Sequence, residues 1–184
     1  MKNFREIQQE VRNIILAYKD GKELPHAEGI LEWVLKLKPD ADEVMRISAF
    51  AHDIERCVNP NKINKDQMIK EDFPSYLIAK REHARIGAEV VEKILRKYEV
   101  DEVEIKRVKY LIENHEVGGD EDANIVRDAD SLSYLTDNFG WYLTKHGPER
   151  ARVKLDYMFD RMSENGKRLG LPIYQKNLNK LYNN

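Results

Sequence analysis

Residues 44–56 read VMRISAFAHDIER. Val44, Ile47, Ala51 and Ile54 recur at three- and four-residue intervals, the signature of a helix with one face in a core. The same helix carries His52 and Asp53 at its end. Both side chains titrate, and burying either one without a partner is costly. Neighbouring helix positions point about 100° apart. Ordinary packing therefore does not put both in one pocket, although near a helix end the two can flank one metal ion. Three readings stand: a capped helix end, a buried ion pair, or a pair of ligands.

Helical periodicity extends outward from this stretch in both directions. Residues 4–18 place Phe4, Ile7, Val11, Ile14, Ile15 and Tyr18 on one face, and Asp20-Gly21 ends that helix. A second helix, from about Pro25 to Lys36, turns Ile30, Leu31, Val34 and Leu35 inward, and Pro39-Asp40 breaks the chain. Asp40 or Asp42 caps the helix that ends in His52-Asp53. Residues 58–72 are polar and interrupted by Pro60. They read as a long loop with at most a short helical turn, of a length that suits a lid. Pro74 opens a long helix to about Lys97. Asp101 with Glu104 resembles a capping box for the next one, whose apolar face is Val108, Leu111 and Ile112 and then His115; Gly118-Gly119 stops it. A further helix covers about 123–145. His146-Gly147-Pro148 reads as a stop and a new start, with helices to about Arg168 and beyond Pro172. No strand pattern emerges. The expected class is all-α, a single domain over 1–184 of about seven to eight helices. The core that carries the motifs spans about 22–140, and helices from 141–184 pack on it.

Composition narrows the function. With 31 basic and 33 acidic residues, the net charge is -2, which argues against a nucleic-acid arm or a polybasic membrane anchor. The single cysteine, Cys57, forms no intrachain disulfide. No run approaches the roughly 18 apolar residues that span a bilayer, and the charged N-terminus lacks a signal-peptide core. These features predict a cytoplasmic protein without membrane partners, and a bundle of this size is compatible with a homodimer.

The five histidines carry the chemistry. His26 opens the second helix, and His52 and Asp53 close the third. His83 sits in a helix marked by Ile86, Val90, Val91 and Ile94. His115 extends the stripe of Val108, Leu111 and Ile112. Asp128 and Asp130 lie in NIVRDADSLSYL among Ile125, Leu132 and Leu135. Each has a plain reading when taken singly: a core histidine with backbone partners, a helix end, or a solvated carboxylate. His146 takes the plain reading through its Gly-Pro context. Jointly, four helices each aim a histidine, and a fifth aims carboxylates, at buried faces. Imidazole with carboxylate is the donor set of Mn, Fe, Co, Ni and Zn sites, and bundles build such sites from facing helices.

These residues resemble the HD superfamily of metal-dependent phosphohydrolases, an all-α family with a His…His-Asp…Asp signature. His26 matches the first histidine, His52-Asp53 the doublet and Asp130 the last aspartate. HDIER stands where members often read HDIGK, and DADSL where they often read DADRLD. HARIGAEVV and IENHE extend the likeness to the dinuclear branch. The resemblance implies one ion held by His26, His52, Asp53 and Asp130, and a second held by Asp53 as a bridge with His83 and His115. One or two divalent transition metals are implied, with Mg also admissible. His52 and Asp53 are then central to catalysis, with Glu116 orienting His115 and Asp128 supporting the site from behind. Three departures stand out. Glu55 replaces a frequent glycine, and Ser131 replaces an arginine. HEVGGDED lacks the Gly-Tyr-Pro element of the cyclic-di-GMP branch.

The activity so implied is hydrolysis of a phosphate ester or anhydride, with a nucleotide as the expected small-molecule substrate, through a metal-activated water. Arg56, Lys80 and Arg127 are the expected phosphate-binding cations, with Lys154 a fourth. For Lys80 and Lys154 a solvated surface position is the plainer alternative. Two other functions share the ligand pattern: a di-iron oxygenase of the same family, and a non-catalytic metal- or nucleotide-binding module.

Overall fold

The computed structural model describes residues 1–21, 23–59 and 65–182. Their regular structure is all helical, with no strand among them. In chain order the helices are α1 (Phe4–Ala17), α2 (Leu24–Leu37), α3 (Glu43–Ala51), α4 (Glu55–Val58), α5 (Lys65–Glu71), α6 (Phe73–Lys97), α7 (Glu102–Asn114), α8 (Glu121–Ser133), α9 (Phe139–Asp160) and α10 (Glu164–Tyr182). Short acidic side chains start several of them. Asp42 accepts from the Met45 N–H at 2.8 Å, Asp72 from Ser75 at 3.1 Å, Asp101 from Val103 at 2.8 Å and Asp120 from Ala123 at 3.0 Å. Each satisfies a first-turn donor that the helix itself leaves unpaired.

α3 lies at the centre. Val44, Met45, Ile47, Ala49, Phe50 and Ala51 are all buried, as expected of a helix surrounded by others. It packs on α2 and α7, while α6 runs along α7 and α2 along α8. Apolar residues fall into two clusters. The first joins α1, α2, α3, α6, α7 and the start of α8. The second begins at Leu132 and takes in Tyr134, Leu135, Phe139, Tyr142, Leu155, Met158 and Met162. The seam between them passes through Asp130 and Ser131.

The structure changes three readings of the sequence. Half of the polar segment after Val58 is α5, tied to α9 by Arg150–Glu71 at 3.3 Å and by Lys70–Glu149. Among the side chains described in it, Met68 to Glu71, Ile69 is the buried one. The rest of the expected loop, residues 60–64, falls outside the described residues. The second change concerns the C-terminal helices. Gly147, at φ 79°, breaks α9 as expected, but the next boundary is Arg161–Ser163 and not Pro172. Pro172 sits inside α10 on its exposed side, where the carbonyl it leaves unpaired faces water. Third, a π-helical turn over Tyr134–Asn138 joins α8 to α9. Such turns are rare and gather at functional sites.

Candidate metal centre

Five helices bring their polar residues to one point. α2 supplies His26 in its first turn. The turn that ends α3 supplies His52 and Asp53, α6 supplies His83, the end of α7 supplies His115, and α8 supplies Asp130. Gly87, one turn after His83, lets α6 approach the end of α3: a Cβ there would stand 3.3 Å from the His52 carbonyl oxygen.

Asp53 is the hub. Its Oδ2 lies 3.3 Å from His26 Nε2 and 3.4 Å from His52 Nε2. Its Oδ1 lies 2.5 Å from His83 Nε2 and 3.9 Å from His115 Nε2. Asp130 Oδ1 closes the first group, 3.6 Å from His26 Nε2 and 4.0 Å from His52 Nε2. Two sets of donors thus share one carboxylate: His26, His52 and Asp53, and Asp53, His83 and His115. Within each set the donor atoms lie within 4.8 Å of one another.

The outward ring nitrogens are all engaged. His52 Nδ1 bonds the Ala49 carbonyl at 2.8 Å, and His115 Nδ1 bonds the Ile112 carbonyl at 2.7 Å. His83 Nδ1 bonds Glu55 at 2.6 Å. His26 Nδ1 meets Asn138, from the π-helical turn, at 3.2 Å. Partners of this kind fix the tautomer and aim the other nitrogen, as they do around metal-bound histidines. The inward Nε2 atoms of His26, His52 and His115 are buried and make no hydrogen bond. Buried polar atoms are almost always satisfied. Three orphaned imidazole nitrogens converging on carboxylates therefore fit a divalent ion, and these buried groups can hold one.

A family model described as a domain of unknown function (DUF4202) matches residues 5–181. The chain belongs to the DUF4202 family. No curated protein and no solved structure matches it.

Electrostatics push the groups of this DUF4202 site in different directions. Burial pushes the Asp53 carboxyl up, but Arg56, His52 and His83 outweigh it and hold Asp53 well below the usual carboxylate range. Burial likewise opposes ionisation of Asp130, and Arg161, His52 and His26 overcome it. For Glu116 burial is overcome chiefly by Lys80, then by His115 and Arg161. His52 is raised, because Asp53 and Asp130 outweigh its burial, whereas burial lowers His115.

The remaining expected residues fall in different places. Arg56 reaches Asp53 at 2.8 Å and Glu23 at 3.4 Å. Lys80 is buried against Glu116. Glu116 approaches His115 Nε2 at 3.1 Å, the nitrogen that faces the cluster, while a backbone carbonyl holds the outward one. Arg127 points away, onto Asp128 at 3.1 Å and the Val117 carbonyl at 3.3 Å. Asp128 grips the start of α10, accepting from the Ser163 N–H at 2.9 Å and from the Ser163 hydroxyl. Neither reaches the histidines.

The structure adds two residues. Glu55, noted in the sequence only as a departure, positions His83. Arg161, at the end of α9, donates to Ser131 Oγ at 2.8 Å, to Glu116 at 2.6 Å and to Asp130. A guanidinium beside the last aspartate is thus present, supplied from 31 residues away. Ser131, where the resemblance expects an arginine, is the only local hint of it.

Proposed function

We propose that this DUF4202 chain is a dinuclear metal-dependent phosphohydrolase of the HD type, acting in the cytoplasm on a phosphate ester or anhydride of a nucleotide. The observation that carries the reading is Asp53, whose two oxygens face two separate groups of inward imidazole nitrogens. Divalent ions in such a site supply Lewis acidity and a nucleophilic water at neutral pH. The chain supplies the rest. Ala49, Ile112, Glu55 and Asn138 hold the four rings in register. Arg56, Lys80 and Arg161 place positive charge beside the carboxylates, where phosphate oxygens would approach, and burial strengthens their pull.

The test is elemental analysis of purified protein together with phosphate release from a nucleotide panel. About two ions per chain are expected, falling to about one in His83→Ala. Release of phosphate without oxygen would support hydrolysis. Oxygen-dependent turnover without phosphate release would replace this reading with an oxygenase. Failure of wild type to bind Mn, Fe or Zn would end it.

A further inference from the structure

The aromatic box beside the centre holds a cation that the ligand cluster does not explain. Tyr76 and Lys80 share a face of α6 with His83, at spacings of four and three residues. Lys154, Tyr157 and Arg161 form the opposing stripe of α9. Lys154 Nζ donates to the Tyr76 hydroxyl at 2.7 Å. It also lies 5.4 Å from the ring centres of Tyr76 and Tyr157 and 5.7 Å from that of Tyr134. Tyr157 stacks Arg161 on the same ring at 5.5 Å.

Charge compensation sets Lys154 apart. Arg56 has Asp53 and Glu23, Lys80 has Glu116, and Arg161 has Asp130 and Glu116. Among the described residues no carboxylate comes within ion-pair reach of Lys154. Burial, with Lys80 and Arg161 nearby, lowers its ammonium to about 7. Tyr76, pushed up to about 12 chiefly by burial, keeps its proton. Because that hydroxyl already accepts from Lys154, its own hydrogen is left to donate. An ammonium and a phenol with donors to spare, beside two further cations, lack one thing: an anion. Along α6, seven residues separate Tyr76 from His83, about 10 Å at the helical rise.

We infer that Lys154 and Tyr76 form an anion subsite at the side of the metal centre, built to take a phosphate group of the ligand. The inference rests on the phosphohydrolase reading for its substrate and on the charge pattern for its place. A substrate with a second phosphate, removed from the reacting one, would fill both.

Inorganic phosphate is the probe, titrated by calorimetry into the full chain with metals loaded and with metals chelated. Lys154→Met and Tyr76→Phe are the variants. Lys154→Met should weaken phosphate about tenfold or more, the value of one charge-assisted hydrogen bond, and Tyr76→Phe less. Phosphate should also slow reductive methylation of Lys154 in wild type, read by mass spectrometry, whereas chloride should not. Unchanged phosphate affinity in a folded Lys154→Met overturns the subsite; should that variant not fold, unchanged methylation in wild type does so. Protection that survives chelation supports the subsite even where no metal binds, so the two readings fail separately. Metal-dependent hydrolysis with a KM unaltered in Lys154→Met would remove the subsite and leave the hydrolase.

Discussion

The two apolar clusters do different work. The first, built by α1, α2, α3, α6, α7 and the start of α8, carries the inward donors His26, His52, Asp53, His83 and His115, with Asp130 at its edge. The second, built by the end of α8 with α9 and α10, contributes no imidazole to the centre. It contributes Arg161 and Lys154, with Tyr134 and Tyr157 beside them, while Tyr76 reaches Lys154 from α6. The first body gathers the donors with Arg56, Lys80 and Glu116 beside them, the second adds Arg161 and Lys154 from across the seam, and the two meet at Asp130 and Ser131. Ligand geometry is therefore fixed within one core, while anion chemistry depends on how the second docks against it. The comparison predicts that variants in the first body change metal binding and that those in the second change charge balance and anion binding.

The largest effect should come from the hub. Asp53→Asn removes the shared charge, and metal content should fall from about two ions to near none, with hydrolysis lost alongside. Retention of one ion would show that the two donor sets do not depend on one carboxylate. Next is the second body's main contact. Arg161→Met strips Asp130 and Glu116 of a buried counter-charge and should cost about 3–5 kcal/mol of stability in urea unfolding of the metal-free protein. A loss under about 1 kcal/mol would mean that the seam is solvated and that Arg161 is a surface group. Glu55→Gln is milder. It loosens the grip on His83 and should weaken one of the two ions about 10- to 100-fold, a difference that competition with a chelator reads directly. Equal weakening of both ions would dissolve the division into two donor sets.

The smallest effect concerns pH. Lys154 titrates lower in the folded protein than in the unfolded chain, so the folded state binds that proton less well. Its stability contribution is complete above the ordinary lysine range and is lost as pH falls toward about 7. Lys154→Met should therefore stabilise the chelated, phosphate-free protein near pH 6 more than near pH 10, by an amount reduced by partial exposure. Denaturant midpoints at the two pH values decide it; a difference independent of pH would mean that the ammonium is not disfavoured by its surroundings.

Much of this was legible in the chain. Periodicity located the helices that carry every inward histidine. Val44, Ile47, Ala51 and Ile54 placed His52 and Asp53 at the edge of a core, and all four are buried. Acidic caps such as Asp101 and the break at Gly147 marked boundaries through local backbone chemistry. Where the signal was weak, reading failed for definable reasons. Among the described side chains of α5 only Ile69 is buried, and Pro172 is tolerated because the carbonyl it leaves unpaired faces water. Asp128, two positions before Asp130, points to the other side of the helix and grips Ser163, whereas Arg127 shares the face of Asp130 but is drawn off by Asp128 and the Val117 carbonyl.

The sequence by itself determined that the chain is all-α and that His52, Asp53, His83, His115 and Asp130 lie on or next to inward faces, since both follow from the spacing of apolar residues along each helix. Only the tertiary structure decided that Asp53 faces two groups of imidazoles, that Glu55 and Asn138 hold the rings, and that Arg161 supplies a guanidinium to Asp130. The contacts of Glu55, Asn138 and Arg161 join residues 28 to 112 positions apart. No local pattern encodes such a pairing, because it is set by which helices pack together and by how closely they approach.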